Sequence, residues 1–187
     1  MSKRRDAIRN EQLILRTAKS LFDTHTVEKV SMKKISETAQ IGTGTLYRHF
    51  SHKSEICSTL LTHEVTQMFE RITRQKQKRD DSHEQLRFIF LSLIKLMEDN
   101  VHLLKEIERT DKQKRVMMQT PFYVKLKEEV MDCVVALNVV NDPDFLTDML
   151  INSFSADVFE YQHYVKGIPS EQFVDRILKI FIRGVQS

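Results

Sequence analysis

Apolar residues recur along most of this chain at three- and four-residue steps, the spacing of a helix with one face turned inward. Leu13, Ile14, Thr17, Ala18, Leu21 and Phe22 trace such a face and predict a first helix from Asn10 to Asp23. Ser31 can cap a short second helix carrying Ile35, and Thr43 to Phe50 forms a third with Leu46 and Phe50 on one side. Ser51 is the expected cap of a long fourth helix through Ile56, Leu60, Val65, Phe69 and Ile72. The stretch Thr73 to Asp81 is rich in charge and predicts a stop.

Beyond it, Ser82 with Gln85 has the form of a capping box opening a helix to Asp99, and another helix covers Val101 to Arg109. Thr120-Pro121 and Asp142-Pro143 each place a capping side chain before proline, starting helices expected to reach Leu137 and Lys166. Gly167 supplies a stop, and Ser170 is read as the cap of a last helix ending near Gly184. With 4 Gly and 3 Pro and no alternating β-branched runs, the chain lacks the punctuation of a β protein. The prediction is an all-α fold of about nine helices: three short ones in a head, residues 1–53, on a larger helical-bundle body, residues 54–187.

Composition narrows the function. A chain of 187 residues can bury a proper core without disulfide support, and Cys57 and Cys133 read as reduced packing residues. No run of about 18 apolar residues is present and Met1-Ser2-Lys3-Arg4-Arg5 is followed by no apolar stretch, so a cytoplasmic protein is expected. Charge is uneven: residues 1–53 hold 11 Lys/Arg against 5 Asp/Glu, a net +6, and the remainder 18 against 21, a net −3. A basic head suits phosphate; charge alone fits nucleic acid and an anionic membrane alike. His49 and His52 have no partners that complete a metal set, and no glycine-rich phosphate loop or nucleophile motif occurs, so neither metal, cofactor nor catalysis is expected.

The segment from Ile35 to Lys53, with Gly44-Thr45-Leu46-Tyr47, His49-Phe50 and Lys53 in register, resembles the helix-turn-helix of the TetR (tetracycline-repressor-like) family of bacterial transcription regulators. Ala18, Leu21-Phe22, Val30-Ser31 and Ile35 fall where that family places its first-helix core and second-helix start. Gln40 stands where the family often has glycine, and Gly42 where it often has a serine cap. The resemblance implies a homodimer on operator DNA, each third helix in a major groove.

The residues agree with this. Leu46 and Phe50 at i, i+4 turn one face of the third helix inward, leaving Thr43, Gly44, Thr45 and Arg48 outward. Thr43 can touch a thymine methyl, Gly44 allows close backbone approach, and Arg48 can read guanine or take a phosphate. The resemblance adds Tyr47, Thr45 and His49 as phosphate contacts. Lys33 and Lys34 sit in the first turn of the second helix, where the helix dipole disfavours cations unless a phosphate docks there. They and Lys53 are expected on the DNA backbone. Lys3, Arg4 and Arg5 form a short arm that can reach a neighbouring groove.

In the body, the last helix is apolar on most of its circumference and gains a second cover most simply from another subunit. Leu150, Phe154, Phe173, Ile177 and Phe181 are the expected dimer contacts. A Met/aromatic set, Phe88, Met97, Met117, Met118, Phe122, Tyr123, Phe159 and Tyr161, is expected around a pocket for a lipophilic effector, an expectation that the resemblance implies. Asp157 lies in an apolar series and either binds a cationic effector group or pairs across subunits with Arg176. The expected function is a repressor released from a palindromic operator by a small molecule. The alternative is a DNA-bound protein of the same fold whose body docks a protein partner.

Overall fold

Capping chemistry sets the helix starts. Ser31 accepts from the Lys34 amide at 3.1 Å, Thr120 from Tyr123 at 3.2 Å and Asp142 from Phe145 at 3.1 Å, each satisfying an amide that a helix start leaves orphaned. At the fifth helix the cap is Asp81, one residue before the expected Ser82, accepting from the His83 amide at 2.8 Å. The structure is a computed structural model and describes residues 2–77, 81–110, 120–138 and 142–183.

The elements are α1 (Ser2–Thr24), a 3-10 turn (Val27–Lys29), α2 (Met32–Thr38), α3 (Thr43–His49), α4 (Lys53–Lys76), α5 (Ser82–Asp99), α6 (Val101–Thr110), α7 (Pro121–Leu137), α8 (Pro143–Asn152), α9 (Ala156–Glu160) running into a π-helical turn (Tyr161–Val165), and α10 (Ser170–Arg183). No strand occurs among the described residues. None of their helices is long and apolar enough to cross a membrane. The expected basic arm is instead the first turn of α1, which begins at Ser2.

The chain forms two compact units, and α6 groups with the first. The first holds α1 to α3, α4 as far as Glu64, and α6; the second holds α4 from Val65, α5, and α7 to α10. The first unit is thus larger than the head read from the motif. Its core is Ile14, Leu15, Ala18 and Leu21 of α1, Val30, Ile35 of α2, Leu46 and Phe50 from α3 and its cap, and Ile56 and Leu60 of α4, with Leu103 of α6 packed against them. Leu46 and Ile35 are wholly buried, so truncating either to alanine should cost about 2–5 kcal/mol.

In the second unit, Phe90 of α5 stacks on Phe154 with centroids 3.9 Å apart, and Phe154 meets the edge of Phe173 of α10 at 5.5 Å. This stack explains why the helix expected from Asp142 to Lys166 is broken in two. Asn152 and Ser153 return side-chain hydrogen bonds to the carbonyls of Asp148 and Met149, competing with helix continuation, and Phe154 turns into the core. Ser155, in extended backbone, restarts the chain as α9. Gly167 takes φ +69°, which frees the chain to leave the π-helical turn for α10. Ser170 is itself the first residue of α10 and donates to Glu98. Gly184, Met117 and Met118 lie outside the described residues.

Candidate nucleic-acid interface

The site is built on α2 and α3. After α2, Gln40 adopts φ 54°, the left-handed conformation that costs a residue with a Cβ about 1–2 kcal/mol and that glycine would take freely. The turn closes with the Ile41 amide donating to Ser36 O at 3.1 Å. Gly42 starts α3 with no side chain to cap it. Its neighbour is tied down instead: buried Ser36 donates to Lys33 O at 2.8 Å, and its oxygen, 3.4 Å from the Thr43 hydroxyl, is left to accept from it. Thr43 is therefore oriented from α2.

One face of α3 buries Leu46; the other presents Thr43, Gly44, Tyr47 and Arg48. Tyr47 is 51% exposed, an aromatic ring held outside the core. Arg48 donates to Thr45 Oγ1 at 3.0 Å, which aims the guanidinium along the exposed face. A Cβ at Gly44 would meet nothing within 4 Å, so no contact inside the chain requires glycine there. Lys33 and Lys34 are exposed on α2, Lys33 with only a loose pair to Glu37 at 3.8 Å. Thr45 and His49 are half-buried. These eight residues share the surface of α2 and α3.

Lys53 departs from expectation. Its ammonium donates to Val27 O at 2.7 Å and lies 3.7 Å from Glu106 Oε1 of α6, with the side chain 14% exposed. It is held inside the unit instead of standing free for a phosphate. Spacing had no means of showing this, because the partner lies 53 positions further on.

The body residues distribute differently from the expected sets. Leu150, Phe154 and Phe173, expected as dimer contacts, are buried in the unit's own core, and Ile177 and Phe181 are half-buried. The large apolar side chains left in solvent among the described body residues are Val124, Val135, Phe145, Met149, Val158, Tyr161, Tyr164, Val165 and Ile180. An all-round apolar helix needs two covers, and the pattern does not say which face its own core takes.

Nor do the described members of the Met/aromatic set come together in either of two hollows among the described residues. Phe88 lines a cavity of about 10 Å³ with Ile72, Gln85 and Cys133, room for one water. Tyr123 borders a separate open hollow of about 360 Å³ with Val124, Lys127, Met131 and Asp148, and its hydroxyl donates to Asp148 at 2.7 Å. Met97 is half-buried, and Phe122 meets Phe69 at 5.9 Å. Phe159 is buried against Phe173 and His163, whereas Tyr161 is exposed. Asp157 is also exposed, which removes the burial cost that demanded a partner, and Arg176 bonds Gln172 at 2.9 Å.

A three-helix head offering the outer face of its third helix, joined to an all-helical body, defines a helix-turn-helix regulator. Residues 14–58 match the family described as bacterial regulatory proteins, tetR family. The chain is 35% identical, over 98% of both lengths, to an HTH-type transcriptional regulator of Staphylococcus aureus (strain bovine RF122 / ET3-1). Among solved structures it is similar to Thermus thermophilus FadR, a TetR family transcriptional repressor in complex with lauroyl-CoA: TM-score 0.69, 15% identity, 93% of this chain and 94% of that one. RolR in complex with resorcinol is similar at TM-score 0.65 and 16% identity, over 98% and 95%. The chain belongs to the TetR family of bacterial transcriptional regulators.

Proposed function

We propose that the protein is a homodimeric repressor, acting in the cytoplasm, that grips a palindromic operator with α3 of each protomer and releases it when a small apolar effector binds the body. The observation that carries this reading is the outer face of α3: Thr43, Gly44, Tyr47 and Arg48 exposed over a buried Leu46, with Lys33 and Lys34 beside them. A major groove accepts one helix, and two-fold heads about 34–36 Å apart would match half-sites one helical turn apart. Exposed Tyr161, Tyr164, Val165 and Ile180 support a second copy as the cover of the body. The proteins of similar fold that hold lauroyl-CoA and resorcinol support an effector.

The test is binding to duplexes selected from a random pool. Thr43→Ala and Arg48→Ala should change the preferred sequence, whereas Lys33→Ala should weaken every duplex and lower the salt slope by about 0.9 per contact. Equal losses on selected and random duplex from all three would contradict the assignment. The exposed apolar residues also fit a docked protein partner; a folded monomer at micromolar concentration would favour that reading over the dimer.

A further inference from the structure

Of the lysines expected on DNA whose side chains are described, Lys33 and Lys34 are exposed and Lys53 is withdrawn from solvent. It is the first residue of α4, where the helix dipole opposes a cation by about 0.3–1 kcal/mol. What holds it is a carbonyl from the 3-10 turn, Val27 O at 2.7 Å, and a carboxylate from α6, Glu106 Oε1 at 3.7 Å. Glu106 is only 5% exposed, a buried charge facing a nearly buried charge. Cys57, one turn further along α4, is fully buried. The Lys53 side chain keeps 14% of its surface in solvent and carries its ammonium on a flexible four-carbon stem.

We infer that Glu106 is a built-in competitor for DNA phosphate: it holds the Lys53 ammonium in the free protein and so sets how many backbone contacts the head makes. The inference rests on the proposed DNA-binding reading and adds a positioning residue to it. The physics is an exchange of partners. A lysine near the recognition helix contributes one phosphate contact when it releases one counterion. While the Glu106 carboxylate neutralises it, the same ammonium gains little by moving to a phosphate. Removing the carboxylate charge leaves a nearly buried cation at a helix N-terminus with the Val27 carbonyl still accepting from it but no charge opposite, a position it vacates for solvent or phosphate. Glu106 thus weakens non-specific binding more than it weakens a site read by α3, because the contact it suppresses carries no sequence information.

The experiment measures affinity against salt for a short duplex of mixed sequence, using the full chain, with Glu106→Gln, Lys53→Met and the double variant. Glu106→Gln should steepen the salt slope by about 0.9 per protomer, about 1.8 for a dimer. A fourfold rise in salt then costs the variant about twelvefold more affinity than it costs the wild type. Lys53→Met alone should leave the wild-type slope nearly unchanged, and the double variant should lose the Glu106→Gln gain. Glu106→Asp, which keeps the charge and shortens the reach, should fall between wild type and Glu106→Gln, and gives the same reading if the glutamine variant does not fold. An unchanged slope in folded Glu106→Gln or Glu106→Asp, with wild type binding normally, overturns the inference and leaves the DNA-binding reading standing. Wild type failing to bind any duplex overturns both.

Discussion

Gly44→Ala should move stability and DNA binding in opposite directions. Glycine inside a helix costs about 0.5–1 kcal/mol relative to alanine, and Gly44 lies in the first turn of α3. The added methyl meets nothing within 4 Å, and the backbone there needs no positive φ, so no strain offsets the gain. A stabilisation of about 0.5–1 kcal/mol follows, a rise in melting temperature of roughly 1–4 °C for a chain of this size. Against DNA the same methyl occupies the space through which the α3 backbone nears the groove. Overfilling a close-packed contact costs typically about 1–3 kcal/mol, which is roughly 5- to 150-fold in affinity. The assay is thermal melting beside a titration of the selected duplex. Higher stability with undiminished affinity would show that Gly44 does not face DNA, and lower stability would refute the open geometry around it.

Gln40→Gly should stabilise the head by about 0.5–1 kcal/mol, the relief of a left-handed residue less the added freedom of the unfolded chain, checked by chemical denaturation. Phe154→Ala should cost about 3–5 kcal/mol because it empties the Phe90 stack, whereas Ile180→Asp, at a residue 65% exposed, should leave the protomer folded and halve the mass seen in solution. The Asp148 carboxyl is held below its ordinary value, chiefly by the Lys127 ammonium at 2.8 Å and then by the Tyr123 hydroxyl. Its contribution to stability is complete above the unfolded value of about 3.9 and is lost as pH falls towards the lower folded value. Asp148→Asn should therefore lose less stability than wild type on acidification below about pH 4, and equal losses would remove the pair from the account.

What the sequence shows best is local. Ser31, Thr120 and Asp142 cap the helices their spacing predicts, and Leu46 with Phe50 turn α3 onto Ile35 and the α1 core as periodicity requires. A cap acts over three residues and a helical face over seven, distances that the order of residues displays directly. What it hides depends on pairing at long range. Phe154 is expected at a subunit interface, yet it stacks on Phe90, 64 positions earlier, inside the unit's own core. Lys53 matches a phosphate-binding motif and is turned aside by Glu106. The Met/aromatic set illustrates the same limit, since residue type is equally suited to a core and to a pocket, and Phe159 went to the core while Tyr161 went to solvent.

The central claim, that two copies of α3 read a two-fold DNA site, is tested most directly by selecting duplexes from a random pool with the wild-type protein and footprinting the winner. The account predicts an inverted repeat with half-site centres about one helical turn apart, roughly 10 base pairs, protected in successive major grooves on one side of the duplex. Recovery of no preferred sequence, or of a single unrepeated site bound by one protomer, would contradict it.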